Sequence, residues 1–278
     1  MSIRRILSIQ DISCLGQCSM TVAMPILSVC GLETCILPTM VLSTHTGGLG
    51  IPHRRDLTED LLPIASHWRQ QGIRFDGISV GYLGRAEQVQ KVMKIVDELL
   101  AVNGKLIVDP AMADHGKLYG GIDPACVKEM ETLCHKADVL LPNLTEGCLL
   151  TESDYMENPT PSQIQRLLDD LEGKFDANVL LTGVGFKPGE TGFALRRSGV
   201  TAYYHHDMVG GAYHGTGDMF AAVFTGAFLQ GKDAYDAAVM AAGFVSKVAE
   251  KTARDPAHAY GTRFEWALPW LAQQFENE

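Results

Sequence analysis

The sequence has few of the features that mark secreted or membrane proteins. Its first residues, MSIRRILSIQDIS, include two arginines but only a short apolar run before Gln10 and Asp11, too short for a signal sequence or a transmembrane helix. The seven cysteines are an odd number without a CxxC pair, and Cys134 and His135 have no second Cys/His pair at zinc-ligand spacing. We therefore expect a cytoplasmic protein with no membrane partner and with reduced, mostly buried thiols.

Positive charge is also scarce. The formal net charge is −10, and the basic residues are scattered as short pairs such as Arg4-Arg5 and Arg54-Arg55. This distribution argues against a surface that binds nucleic acid. An acidic protein that binds phosphates must do so locally, with backbone N–H groups, a metal ion and a few cations.

Three common nucleotide-binding signatures are missing. The sequence contains no GxxxxGK[ST] motif, which argues against a P-loop NTPase. The first predicted strand leads into QDISCLGQCS rather than GxGxxG, and GVGFKPG has the wrong glycine spacing for a dinucleotide-binding unit. Protein-kinase signatures are absent as well.

What the sequence does contain is an alternation of strand-like and helix-like segments. Short aliphatic runs that end in Gly, Pro, Asp or Asn predict strands at IRRILSIQ, ETCILP, FDGISVGYLG, GKLIVDP, ADVLLPN and ANVLLTG. Apolar residues spaced by three and four predict helices over 86–103, 124–136 and 161–173. Continuously apolar strands suit a mostly parallel sheet with helices on both faces.

The last third of the chain departs from this alternation of strands and helices. TGFALRR and VTAYYHH predict a β-hairpin at one edge of the sheet, and the chain is predicted helical from Met219 to about Gln274, with Trp266 and Trp270 on one buried face of the last helix. With no repeat or linker and a hydrophobic fraction of 46%, residues 1–278 are interpreted as a single α/β domain.

The run HGTGDMF, residues 214–220, is the strongest candidate for a phosphate site. Gly215 and Gly217 flank Thr216, so the backbone can turn several N–H groups toward one anion where a helix begins. Asp218 then has two interpretations. It is either the base that takes a proton from a substrate or a helix cap worth about 1 kcal/mol.

Polar residues also occupy the predicted carboxyl ends of the strands, where ligands gather in such sheets. They are Gln10, Asp11, Tyr82, Asp109, Asn143, Glu146 and Thr182. Asp109, Asn143 and Glu146 offer the hard oxygen ligands that suit Mg²⁺ or its waters. Asn143 and Glu146 also fit a capping box at the start of the next helix, and both interpretations can hold together.

Taken together, the GTGD run, the Asp-Pro turn at Asp109, the PNLTE run and the LTG strand end resemble the ribokinase-like superfamily of small-molecule kinases. Within it, LSIQDISCLGQCSMTVAMPILSVCGLE, STHTGG and SVGYLGRAEQ resemble the vitamin B6 kinases. Only one helix and one strand fit between Gln10 and Ser43, so the early lid typical of sugar kinases is not expected. The alternatives are a hydroxymethylpyrimidine kinase, although its AGIQAD segment is missing, and a non-catalytic vitamin B6-binding protein.

The resemblance implies an enzyme that uses ATP and Mg²⁺ to phosphorylate the 5′-hydroxymethyl group of pyridoxal, pyridoxine or pyridoxamine, acting as a homodimer and aided by a monovalent cation such as K⁺. Asp218 would be the base, and the N–H groups of Gly215, Thr216 and Gly217 would stabilise charge on the moving phosphoryl group. The vitamin pocket would contain Asp11, Thr46 and Tyr82. The nucleotide side would contain Asp114, Tyr119 and Thr182, with Mg²⁺ near Asp109, Asn143 and Glu146.

Two positions depart from the vitamin B6 kinases. Asp11 stands where they commonly have serine, and Gly48 stands where they often have tyrosine or glutamine. Both departures bear on the choice of ring substituent. His205, His206 and His214 flank the expected nucleotide side, either as phosphate contacts or as exposed histidines at strand ends.

Overall fold

A central sheet organises the computed structural model, which describes residues 4–47, 49–210, 213–255 and 260–276. Gly48, one of the two departures, lies outside the described residues. The sheet is built from β1 (Arg5–Ser13), β2 (Glu33–Leu42), β3 (Arg54–Asp56), β4 (Phe75–Val80), β5 (Leu100–Val108), β8 (Val139–Leu140), β9 (Asn178–Thr182), β10 (Glu190–Arg197) and β11 (Val200–Asp207). The strand order of these nine is β11-β10-β9-β8-β5-β4-β1-β2-β3. A separate small hairpin consists of β6 (Ala113–Asp114) and β7 (Lys117–Leu118).

The middle of the sheet is parallel, as the continuously apolar strands predicted. β1 pairs in parallel with β2 and β4, and β5, β8 and β9 continue this arrangement. Ile6, Leu7 and Ile9 are fully buried although they point to opposite faces of β1, because helices cover both faces. The edges are antiparallel, with β3 at one side and the predicted hairpin β10–β11 at the other.

The helices form one layer on each face of the sheet. They are α1 (Met20–Val29), α2 (Thr58–Gln70), α3 (Ala86–Leu99), α4 (Ala125–Cys134), α5 (Leu144–Leu150), α6 (Pro161–Phe175), α7 (Thr216–Leu229), α8 (Ala234–Ala253) and α9 (Leu268–Gln273). The core on one face comes from α2 to α6, and the core on the other face comes from α1 and α7 to α9. The mostly parallel α/β fold is therefore confirmed.

Two local predictions are wrong. The helix predicted over 86–103 ends at Leu99, because Leu100 takes an extended conformation with ψ 132° and begins β5. Trp266 does not share a buried helix face with Trp270. It lies in a 3-10 turn, Glu265–Ala267, before α9, it is 45% exposed, and Lys251 packs over its ring.

The fold also determines where a ligand can bind. The described chain contains only α1 and β2 between Gln10 and Ser43, and no separate lid domain, as expected. The loops that follow the parallel strands therefore meet directly at one edge of the sheet. Among the described residues, no helix combines the length and apolarity needed to cross a membrane.

Candidate active site

A cavity of about 1340 Å³ opens where the loops after the parallel strands meet. Every residue predicted for the site lines this cavity. Asp11 comes from the end of β1, and Thr46 and Tyr82 come from the loops after β2 and β4. The remaining residues lie after β5 and around the hairpin of β6 and β7, at the start of α5, at the end of β9, and at the start of α7. Segments far apart in the sequence thus contribute to one wall.

The GTGD run forms the predicted anion-binding turn at the start of α7. Gly215 has φ 85°, and a Cβ on it would lie 2.2 Å from the carbonyl oxygen of Gln17, so only glycine fits there. Because Thr216 and Gly217 are the first residues of α7, their N–H groups have no carbonyl partner within the helix. The positive end of the helix dipole adds to this attraction for an anion.

Asp218 does not serve as the helix cap. Gly215 occupies the N-cap position of α7, and no side chain makes a capping hydrogen bond there. Burial raises the pKa of Asp218 to about 6, an effect partly opposed by the N–H of Ser19 and reinforced by the charge of Asp11. A carboxylate whose pKa lies this close to neutrality is suited to general-base catalysis.

Asp11 lines the cavity where β1 is irregular between Gln10 and Ile12. It is 3% exposed, and the hydroxyl of Ser13 donates to its carboxylate at 3.0 Å. Burial raises the pKa of Asp11, while the hydroxyls of Ser19 and Ser13 and its own N–H oppose that change. The described residues form no ion pair with Asp11, so its buried charge lacks a cationic partner.

Tyr82 lies near Asp11, in the loop after β4, the strand that pairs with β1. Burial and the charge of Asp11 both raise the pKa of its hydroxyl. The preceding residue, Gly81, allows the Gln10 side chain to pack against its Cα, since a Cβ would lie 2.6 Å from Oε1 of Gln10.

His45 is a residue that the sequence analysis missed. It is 5% exposed, its Nδ1 accepts from the N–H of Gly47 at 3.0 Å, and its Nε2 lies 2.7 Å from the carbonyl oxygen of Tyr260. These partners place the ring proton on Nε2. The ring of His214 lies 4.8 Å away, and burial together with His45 lowers the pKa of His214. The neighbouring Thr46, selected within STHTGG, was the available signal for His45.

The capping-box interpretation of Asn143 and Glu146 is correct. The side chain of Asn143 accepts from the N–H of Glu146 at 3.0 Å, and the Glu146 carboxylate accepts from the N–H groups of Asn143, Met112 and Ala113 at 2.9, 3.0 and 3.4 Å. Asn143 Nδ2 also donates to the carbonyl oxygen of Ala113 at 2.8 Å. Both side chains therefore bind the loop after β5 to the start of α5.

Of the candidate metal ligands, Asp109 has the carboxylate that is most available to a metal ion. No donor or cationic side chain among the described residues contacts its carboxylate, and burial together with Glu146 and Asp218 raises its pKa well above the ordinary value. The described residues contain no cluster of three His, Cys, Asp or Glu side chains arranged to hold a metal ion. The arrangement suits Mg²⁺, which commonly binds one or two carboxylates and takes its other ligands from phosphates and water.

The expected nucleotide residues lie on two segments. Asp114 and Tyr119 belong to the hairpin region of β6 and β7, which the hydroxyl of Thr145 anchors by accepting from the N–H of Gly116 at 3.0 Å. Thr182 ends β9 beside Asn143, with which it forms a bridge. Further lining residues that were not selected for the site are Ser13, Cys18, Ser19, Lys117, Lys187 and Ser246. Of the three histidines, His206 and His214 line the cavity, whereas His205 stacks on Tyr203 outside it.

Comparison with known proteins agrees with this geometry. The phosphomethylpyrimidine kinase family model matches residues 40–262. A Bacteroides thetaiotaomicron protein assigned as a phosphomethylpyrimidine kinase, crystallised with pyridoxal, is 33% identical over 97% of this chain and 96% of its own, with a TM-score of 0.92. The pyridoxal kinase from Lactobacillus plantarum is 30% identical over 100% of this chain and 99% of its own, with a TM-score of 0.91.

The similarity extends to proteins compared by sequence alone. The pyridoxine/pyridoxal/pyridoxamine kinase of Bordetella bronchiseptica is 29% identical, over 89% of both chains. The chain therefore belongs to the phosphomethylpyrimidine kinase family of the ribokinase-like superfamily, together with the vitamin B6 kinases.

Proposed function

We propose that this chain is a pyridoxal kinase that transfers the γ-phosphoryl group of ATP to the 5′-hydroxymethyl group of pyridoxal, pyridoxine or pyridoxamine. The observation that carries the proposal is the carboxylate of Asp218. It does not cap α7, its pKa is raised, and it directly follows the anion-binding turn of Gly215, Thr216 and Gly217. A buried base beside a phosphate site serves phosphoryl transfer, whereas simple binding needs no such base.

The reaction follows from this arrangement. Asp218 accepts the proton of the 5′-hydroxyl group as its oxygen attacks the γ-phosphorus, and the bond to the β-phosphate oxygen breaks. The N–H groups of Gly215, Thr216 and Gly217 stabilise negative charge on the transferring group. Asp109 would hold Mg²⁺, which would neutralise charge on the phosphates, and Asn143 and Glu146 would act through water and through the loop that they order.

The remaining site residues are divided between the two substrates. Asp11, Thr46 and Tyr82 bind the pyridine ring and its substituents. The nucleotide contacts Asp114, Tyr119 and Thr182. A monovalent cation such as K⁺, a homodimer, a cytoplasmic location and one catalytic domain over residues 1–278 complete the proposal.

The rival activity is phosphorylation of hydroxymethylpyrimidine, which the name of the matching family favours. ADP release should be measured with Mg²⁺ and ATP for the three B6 vitamers and for hydroxymethylpyrimidine. We expect turnover of at least one vitamer. Good turnover of hydroxymethylpyrimidine with none of the vitamers would establish the rival, and vitamer binding without any ADP release would identify a non-catalytic binding protein.

A further inference from the structure

Ser19 adopts a backbone conformation that is rare for a residue with a side chain. Its φ of 53° and ψ of −126° lie in a region that favours glycine. Serine at this N-cap position of α1 would ordinarily cap the helix, yet no side chain makes a capping hydrogen bond there. The residue is also 7% exposed. Neither capping nor relaxed geometry accounts for serine at this position.

The unusual conformation directs two donors of Ser19 to two carboxylates. Its N–H lowers the pKa of the Asp218 carboxyl and its hydroxyl lowers the pKa of the Asp11 carboxyl, so the two donors face these two groups. An N-cap residue usually has an extended backbone. A change of φ rotates the chain about the N–Cα bond, so if Ser19 took that extended conformation while α1 stayed in place, its N–H would point in a different direction. Strain held by surrounding contacts is typical of functional sites.

Those surrounding contacts are present on both sides of Ser19. It forms an antiparallel bridge with Ile12, next to Asp11, and its carbonyl oxygen accepts from Val22 and Ala23 in α1. The carbonyl oxygen of Gln17 packs directly on Gly215, leaving no room for a Cβ. The turn before α1 and the turn before α7 therefore meet backbone to backbone, which fixes Ser19 relative to Asp218.

We propose that Ser19 is a positioning residue for phosphoryl transfer, whose strained backbone holds its N–H against the carboxylate of Asp218. The proposal rests on the role of Asp218 given above. It requires that residue 19 keep a positive φ. Glycine adopts that conformation freely, alanine less readily, and valine least because it is β-branched.

The test compares Ser19→Gly, Ser19→Ala and Ser19→Val. We expect kcat to decrease in the order Ser, Gly, Ala, Val, with glycine above alanine by about tenfold and with KM for ATP changed less than about threefold. Ser198, another serine with positive φ (48°), lies in the turn between β10 and β11, outside the cavity. Ser198→Gly and Ser198→Ala are the matched controls and should leave kcat unchanged.

Coupling to Asp218 provides the second measurement. Because Ser19 acts through Asp218, each Ser19 variant should lower kcat when Asp218 is present. The same substitution should not lower kcat any further in an enzyme that already carries Asp218→Asn. An alanine variant as active as the glycine variant, or additive losses with Asp218→Asn, would overturn the proposal. If Ser19→Ala does not fold, Ser19→Gly still allows the additivity comparison. Full activity of Asp218→Asn would instead refute the role of Asp218 itself.

Discussion

At the scale of single residues, the proposed function predicts that Asp218 determines whether the cavity catalyses a reaction or only binds its ligands. Asp218→Asn keeps the shape but removes the base, so we expect kcat to fall by about 10² to 10⁴. Its melting temperature should stay equal or rise, since burial disfavours the charged carboxylate. Asp236, an exposed carboxylate in the first turn of α8, is the control, and Asp236→Asn should change neither quantity. Retention of most activity by Asp218→Asn would contradict this role.

The proposed function predicts that Asp11 influences the choice of vitamer. Its buried carboxylate has no cationic partner among the residues that the structure describes, so a pyridinium ring or the aminomethyl cation of pyridoxamine would complement it. Asp11→Ser should therefore shift the order of kcat/KM among the three vitamers. It also removes a charge that raises the pKa of Asp218, so the acidic limb of kcat should move to lower pH. If neither the order of kcat/KM among the vitamers nor the acidic limb of kcat changes, Asp11 has only a local role, in which its side chain bonds its own backbone in an Asx turn.

At the scale of secondary-structure elements, the Asn143–Glu146 capping box joins the loop after β5 to α5. Loss of an N-cap typically costs about 0.5–2 kcal/mol, and Glu146 also accepts two N–H groups from the loop. We expect Asn143→Ala and Glu146→Gln to lower the melting temperature in Mg²⁺-free buffer. Asp233→Ala removes the N-cap of α8 and should lower stability without changing kinetics. Variants of normal stability that only weaken Mg²⁺-ATP binding would make these residues metal ligands instead.

At the scale of the whole molecule, the cavity concentrates carboxyl groups with raised pKa values, namely those of Asp11, Asp109, Glu146 and Asp218. Such groups bind protons more tightly in the folded state, so their stabilising contribution is present at low pH and lost as pH rises through the folded pKa. For Asp218 the change extends from pH 3.8 to about 6.

The consequence is measurable by thermal unfolding. We expect the melting temperature of the ligand-free protein to fall as pH rises from about 5 to about 7. The carboxyl groups with lowered pKa values, Asp56, Glu87 and Glu190, titrate below this range, whereas the lowered pKa of His214 opposes the fall within it. Asp218→Asn should make the melting temperature depend less steeply on pH. Mg²⁺-ATP should have the same effect, because it brings a cation to Asp109. A melting temperature that rises with pH in this range would show that the cavity carboxylates do not dominate the pH dependence of stability.

Much of the fold and the choice of site segments followed from local sequence. Apolar runs ending in Gly, Pro, Asp or Asn marked the parallel strands, and GTGD marked the start of α7, because strand burial and helix termini depend on neighbouring residues. Asn143 and Glu146 could be interpreted as a capping box for the same reason, since their partners lie three residues apart. The resemblance to vitamin B6 kinases added the expected roles of Thr46, Tyr82 and Asp114.

Other features required the tertiary structure. The position of β1 between β4 and β2 and the joining of all site segments in one cavity depend on contacts between distant parts of the chain. Only the fold brings Ser19 to Asp218 and His45 to Tyr260, pairs about 200 residues apart in sequence. Sequence alone left Asp218 as either a cap or a base, because both functions use a carboxylate at a helix start. The structure decided against the cap, because the backbone of Gly215 occupies that position and burial keeps the pKa of Asp218 high.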